Sequence, residues 1–146
     1  MQIRTMSIMD YDQVYSLWLS CRGMGLNDVD DSREGIARFL DRNPDTCFVA
    51  EQDRQIIGVI LAGSDGRRGY IHHMAVGEAF RRQGVGRMLV DAALDALRSC
   101  GISKAALVVF ARNKAGNRFW EKMGFEERTD LVYRDRTLVE MRRIDT

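Results

Sequence analysis

Residues 70–89 read Tyr70-Ile71-His72-His73-Met74-Ala75-Val76-Gly77-Glu78-Ala79-Phe80-Arg81-Arg82-Gln83-Gly84-Val85-Gly86-Arg87-Met88-Leu89. The first seven are rich in β-branched and aromatic side chains and predict a strand, and 77–83 is polar and irregular. From Gly84 onward Val85, Met88, Leu89, Ala92, Ala93, Ala96 and Leu97 share one wide apolar face, which predicts a long helix closing at Gly101. A strand that runs through glycines into a helix start is anion-binding geometry. The first N–H groups of a helix have no internal partner and lie at the positive end of its dipole, so they cradle a phosphate when no Cβ blocks the approach. Gly84 and Gly86 remove those Cβ atoms, while Arg81, Arg82 and Arg87 add guanidinium groups suited to phosphate oxygens.

What is missing narrows the ligand. A dinucleotide fingerprint requires a third glycine where Leu89 stands and an acidic residue near Phe110 and Ala111, at the end of the next strand. A nucleotide P-loop requires four residues between its glycines, then Lys and Ser or Thr, and this stretch has neither. NAD and ATP therefore lose ground to another pyrophosphate-bearing cofactor. The structural alternative is a helix that begins at glycines for packing, with solvated arginines beside it.

Outward from that stretch, strands are expected near 2–4, 47–51, 56–62 and 104–110, the last apolar enough for burial on both faces. Ser7 caps a helix carrying Val14, Leu17, Trp18 and Cys21, ended by Gly23 and Gly25. Ser32 caps a second helix carrying Ile36, Phe39 and Leu40, which stops by Asn43 because Pro44 follows. A short helix near 115–123 stops at Gly124, and two late strands near 125–127 and 138–142 finish the chain. This order is an α/β architecture with a mixed sheet.

With 146 residues, 45% of them hydrophobic, and 22 basic against 21 acidic side chains, the chain has the balance of a single domain over 1–146. A net charge of +1 argues against nucleic acid as the partner. No apolar run nears the roughly 20 residues of a membrane span and no signal-like segment opens the chain, so the expectation is a cytoplasmic protein without membrane contact. Cys21, Cys47 and Cys100 are an odd number without paired spacing, which predicts reduced core thiols and no metal site.

The segment Arg81-Arg82-Gln83-Gly84-Val85-Gly86 resembles the central motif of the GNAT superfamily of N-acetyltransferases: Gln or Arg, two variable residues, Gly, one variable residue, then Gly or Ala. Asn113, Ala115 and Phe119-Trp120-Glu121-Lys122-Met123-Gly124-Phe125 resemble its second signature. The resemblance implies a mixed, mostly antiparallel sheet flanked by helices, with a splayed cleft between the strands near 70–76 and 104–110. There the pantetheine arm of acetyl-CoA would lie along Met74, Ala75 and Val76, bonded to backbone at Met74 and Val76. It also implies a cofactor pyrophosphate on the segment Arg81, Arg82, Gln83, Gly84, Val85, Gly86 and Arg87, a cofactor contact from Trp120, and a polar contact from Asn113, which equally reads as a helix cap. Dimers are common in the family, so a homodimer through the late strands or the first helices is a further expectation.

The implied reaction is acetyl transfer from acetyl-CoA to a primary amine, of a small molecule or of a protein or peptide, by direct attack on the thioester. An amine of pKa near ~10.4 must lose a proton, which suits histidine. Strand alternation sends His72 and His73 to opposite faces, and a resemblance to arylalkylamine acetyltransferases favours His72 as the proton acceptor. Two structural histidines are the alternative. The Met74 N–H is the implied oxyanion donor. Trp120 stands where the family carries its acidic Tyr, and an indole N–H cannot serve as an acid. The other reading of that departure is an acyl-CoA-binding sensor without turnover. Acceptor choice would fall to the loop 22–31, where Asp28, Asp30, Asp31 and the nearby Glu34 either attract a cationic amine or form a solvated acidic loop.

Overall fold

The computed structural model describes residues 1–144. The strands are β1 (Gln2–Thr5), β2 (Phe48–Gln52), β3 (Gln55–Ser64), β4 (Gly69–Val76) and β5 (Ala105–Ala106), and the helices are α1 (Tyr11–Ser20), α2 (Arg33–Arg42), α3 (Val85–Ser99) and α4 (Lys114–Lys122). The five strands lie in sequence order in one sheet; the first four are antiparallel and β5 runs parallel to β4.

Alternation along β3 builds both layers at once, because successive side chains point to opposite faces. Val59 and Leu61 pack with Val14, Leu17 and Trp18 of α1 and with Ile36 and Leu40 of α2. Ile60 and Ala62 pack on the other face with Leu89, Val90, Ala93 and Leu97 of α3. β3 is buried on both faces and so reads as a nearly unbroken apolar run. The entry to α1 is fixed by Ser7 and Asp10, which cap each other, and by Arg4, whose guanidinium bonds Asp10 at 2.8 and 2.9 Å. Burial alone would raise the Asp10 carboxyl, but the Arg4 bonds and the Ser7 N–H outweigh it and hold it below the usual carboxylate range.

Three expectations about the end of the chain need correction. The strand expected over 104–110 is two residues long, and Val108 is 57% exposed. Only Gly69 with Ala105 and Tyr70 with Ala106 pair across β4 and β5. The late strands near 125–127 and 138–142 do not form. With β5 so short there is no edge ladder for them to extend, and Leu138 and Val139 stand exposed. The C-terminal segment instead crosses to the loop between α1 and α2, where Arg143 bridges Asn27 and the Ile144 N–H bonds the Leu26 carbonyl. Cys21 and Cys47 are buried, as core thiols should be, but Cys100 is exposed because it caps α3 where the helix meets solvent.

Candidate active site

The site begins at an irregularity in β4. Val59 opposes Ala75 and Leu61 opposes His72, so His73 and Met74 together face the single residue Ile60. This is a β-bulge, with His73 at φ 47°, a left-handed conformation that costs a non-glycine residue about 1 kcal/mol or more. Neighbouring elements hold the bulge in place. The Trp18 indole N–H donates to the His73 carbonyl at 2.9 Å, and His73 Nε2 lies 2.8 Å from Asp31 Oδ1. Asp31, only 2% exposed, also accepts the Asn27 N–H through Oδ2, and its carbonyl accepts the Tyr11 hydroxyl at 2.6 Å.

The bulge overturns the expectation that the two histidines point to opposite faces. Their ring centroids are 6.2 Å apart, because one extra residue shifts the alternation. His72 packs against Tyr70 at 4.6 Å and Phe39 at 5.6 Å. Burial, aided by the neighbouring His73, lowers its pKa and keeps the imidazole neutral, although Asp31 and Asp30 act in the opposite sense. Asp31 is likewise no solvated loop residue; it is the internal partner of His73.

Beyond Tyr70 and Ala106 the β4–β5 ladder ends, and the outer edge of β4 from His72 to Val76 faces no paired strand. A bulge bends its strand and increases the local twist, which accounts for the parting of 107–110 from β4. The gap leads to the start of α3. Gly84 caps this helix at φ 83°, and a Cβ placed on it would meet nothing within 4 Å, so the approach to the first N–H groups is open. Arg82 (φ 62°) and Arg87 are exposed beside it. Two neighbours differ from the simple cradle. The Arg81 guanidinium donates to the Val76 carbonyl at 3.0 Å and reaches Cys21 Sγ at 3.5 Å, tying the end of β4 to α1. A Cβ on Gly86 would lie 3.2 Å from two ring carbons of Phe119, so this glycine admits the close approach of α4.

Asn113 accepts the Gly116 N–H at 2.9 Å and thus caps α4. Trp120 lies edge-on to Phe119 at 5.0 Å and Phe125 at 5.2 Å, a hydrophobic seat between α4 and the layer of α3. Trp18 and Phe119 escape sequence reasoning as parts of this site, and Asp31, weighed only as a residue attracting the acceptor or as a solvated one, is bonded to His73. Only the position of Phe119 within the second signature hinted at it.

The family model described as Acetyltransferase (GNAT) family matches residues 11–125, which span the bulge, the glycine turn and α4. The chain belongs to the GNAT acetyltransferase family. An acetyltransferase of Photorhabdus laumondii is 31% identical over 142 residues, covering 96% of this chain and 98% of its own. Ard1 from Thermoplasma volcanium superposes with a TM-score of 0.75 at 27% identity, over 84% of this chain and 80% of that one. The PaiA N-acetyltransferase from Thermoplasma acidophilum, solved with coenzyme A, gives 0.73 at 19% identity over 86% and 89%. This GNAT enzyme takes acetyl-CoA as its acetyl donor. The residues present fit that ligand: an open helix start carrying Gly84 suits a pyrophosphate, and a strand edge without a neighbour suits an extended amide-bearing arm. Among the described residues, no helix is long and apolar enough to cross a membrane.

Proposed function

We propose that this single domain, residues 1–146, transfers the acetyl group of acetyl-CoA to a primary amine of a small molecule or of a protein or peptide, by direct attack. The observation that carries the reading is the opening of the β4–β5 ladder at the His73–Met74 bulge, beside the uncovered left-handed Gly84 of α3. When bound, acetyl-CoA supplies an activated thioester carbonyl.

The chain's own groups divide the remaining work. Backbone N–H groups of the segment from Arg82 through Gln83, Gly84, Val85 and Gly86 to Arg87 hold the pyrophosphate, with Arg82 and Arg87 as counter-charges. Arg81 braces this segment against β4 and α1. The backbone of Met74, Ala75 and Val76 bonds the extended arm, and Asn113 lines the approach. His72, neutral because it is desolvated, accepts the amine proton directly or through a water. The Met74 N–H stabilises the oxyanion from a bulge in which two β4 residues share one β3 partner. A thiol of pKa near ~8.5 leaves as thiolate, so Trp120 need donate no proton and serves as packing. The acceptor reaches the cleft along the α1–α2 loop, and the chain pairs as a homodimer through its exposed C-terminal segment.

Free-thiol release from acetyl-CoA across a panel of amines, paired with calorimetric titration of CoA, tests this reading. Binding with amine-dependent release is the expected result. CoA binding without release for any amine would reduce the chain to an acyl-CoA-binding module, and absence of CoA binding would remove the cofactor placement altogether.

A further inference from the structure

Two buried polar groups converge on one residue of β4. Trp18 is 0% exposed among the apolar side chains of its layer, yet its indole N–H, which a phenylalanine would lack, donates to the His73 carbonyl at 2.9 Å. The same indole lies edge-on to the His73 ring, with centroids 5.3 Å apart. Asp31, 2% exposed, places Oδ1 2.8 Å from His73 Nε2 and accepts the Asn27 N–H through Oδ2. Burying an indole N–H or a carboxylate is unfavourable unless each meets a partner, so packing alone explains neither group.

The two contacts hold His73 on either side of its Cα, Asp31 through the ring and Trp18 through the carbonyl. Together they fix the rotation between Cα and the carbonyl carbon, and with it the plane of the peptide that joins His73 to Met74. That peptide is trans, and in a planar trans peptide the C=O and N–H point in opposite directions. Holding the carbonyl on the indole therefore aims the Met74 N–H away from Trp18, on a strand whose outer edge from His72 to Val76 faces no paired strand. His73 needs this grip, because φ 47° is a conformation that a non-glycine residue keeps only where its surroundings impose it. A donor already aimed at the developing charge costs no reorganisation during reaction, so a side chain that touches no reactant can set the rate. We propose that Trp18, supported by Asp31, is a positioning residue for acetyl transfer: it fixes the His73–Met74 peptide plane and so aims the N–H that stabilises the oxyanion. The inference rests on the role of Met74 in the acetyl-transfer reading above and adds the side chains that make that N–H effective.

Infrared spectroscopy of acetyl-CoA isotopically labelled at the thioester carbonyl carbon, bound to the protein without an acceptor, tests it, because a hydrogen bond to that oxygen lowers the carbonyl stretching frequency. In the parent protein the band should lie below that of free acetyl-CoA. Trp18→Phe keeps an aromatic ring without the N–H; the shift should shrink about twofold or more, with acetyl-CoA affinity by calorimetry within about threefold of the parent protein. Asp31→Asn, left with one acceptor oxygen, should reduce the shift in the same sense and carries the test where Trp18→Phe does not fold. Val14→Ala removes buried bulk from the same layer but makes neither bond to His73, so it should lower Tm and leave the band in place. A band at the parent position in the folded Trp18 or Asp31 variant would overturn the proposal. So would an equal displacement in Val14→Ala, which would trace the change to lost packing. A bound parent band at the free position would remove the Met74 role itself, and failure to bind acetyl-CoA would remove the functional reading beneath both.

Discussion

At the residue scale, the decisive fact is that two adjacent histidines share one side of a strand and are treated differently by their surroundings. His73 is fastened to Asp31, while His72 is desolvated among Tyr70, Phe39 and His73. A histidine whose folded pKa is lowered binds fewer protons folded than unfolded. Its contribution to stability is therefore complete above the unfolded value of roughly 6.5 and is lost as pH falls through the folded value. In the proposed mechanism the same shift keeps the His72 imidazole able to accept a proton at neutral pH, so the acidic limb of kcat/KM should lie below about pH 6.5. His72→Gln should lower kcat/KM by roughly 10²–10⁴-fold and flatten that limb, as measured by thiol release between pH 5 and 9. An unchanged profile would remove His72 from the mechanism. The identity of both residues was legible in the sequence, but their orientation was not, because alternation holds only in a regular strand and the bulge inserts one residue.

At the element scale, α3 and α1 carry separable predictions. Gly86→Glu places a Cβ 3.2 Å from the Phe119 ring and a carboxylate beside the helix start. Overpacking of that kind costs about 1–3 kcal/mol, so a fall in Tm should accompany a loss of CoA affinity of at least about tenfold. Full CoA affinity in this variant would displace the pyrophosphate from α3. At the head of α1, the folded Asp10 carboxyl is held low by Arg4 and Ser7. Its stabilisation is present above the unfolded pKa of about 3.9 and disappears as pH falls through the folded value. Asp10→Asn should therefore cost about 1.5–3 kcal/mol at pH 7 and much less near pH 2, read from urea midpoints at the two pH values. The caps Ser7 and Ser32 and the start of α3 at Gly84 were all readable beforehand, since each depends on neighbours within a few residues.

At the scale of the whole molecule, two helical layers on one sheet leave the C-terminal segment without a sheet neighbour, exposing Leu131, Val132, Tyr133, Leu138 and Val139. Exposed apolar side chains in an extended segment offer a surface for a second copy. Sedimentation velocity at micromolar concentration should show a dimer, and the double change Leu138→Asp with Val139→Asp should give a monomer of unchanged Tm. A monomeric parent protein would rule out that contact.

By itself, the sequence determined the strands and helices through α3, the caps at Ser7 and Ser32 and the start of α3 at Gly84. All of these rest on periodicity and capping over a few residues. Tertiary structure alone decided the bulge at His73, the internal role of Asp31, the two-residue length of β5 and the seating of Arg143 over Phe110. Each of these brings together residues distant in the chain, or depends on whether a neighbouring strand is there to accept a hydrogen bond. An apolar, alternating segment such as 138–142 has the pattern of a strand, but a strand exists only where a partner edge completes its ladder.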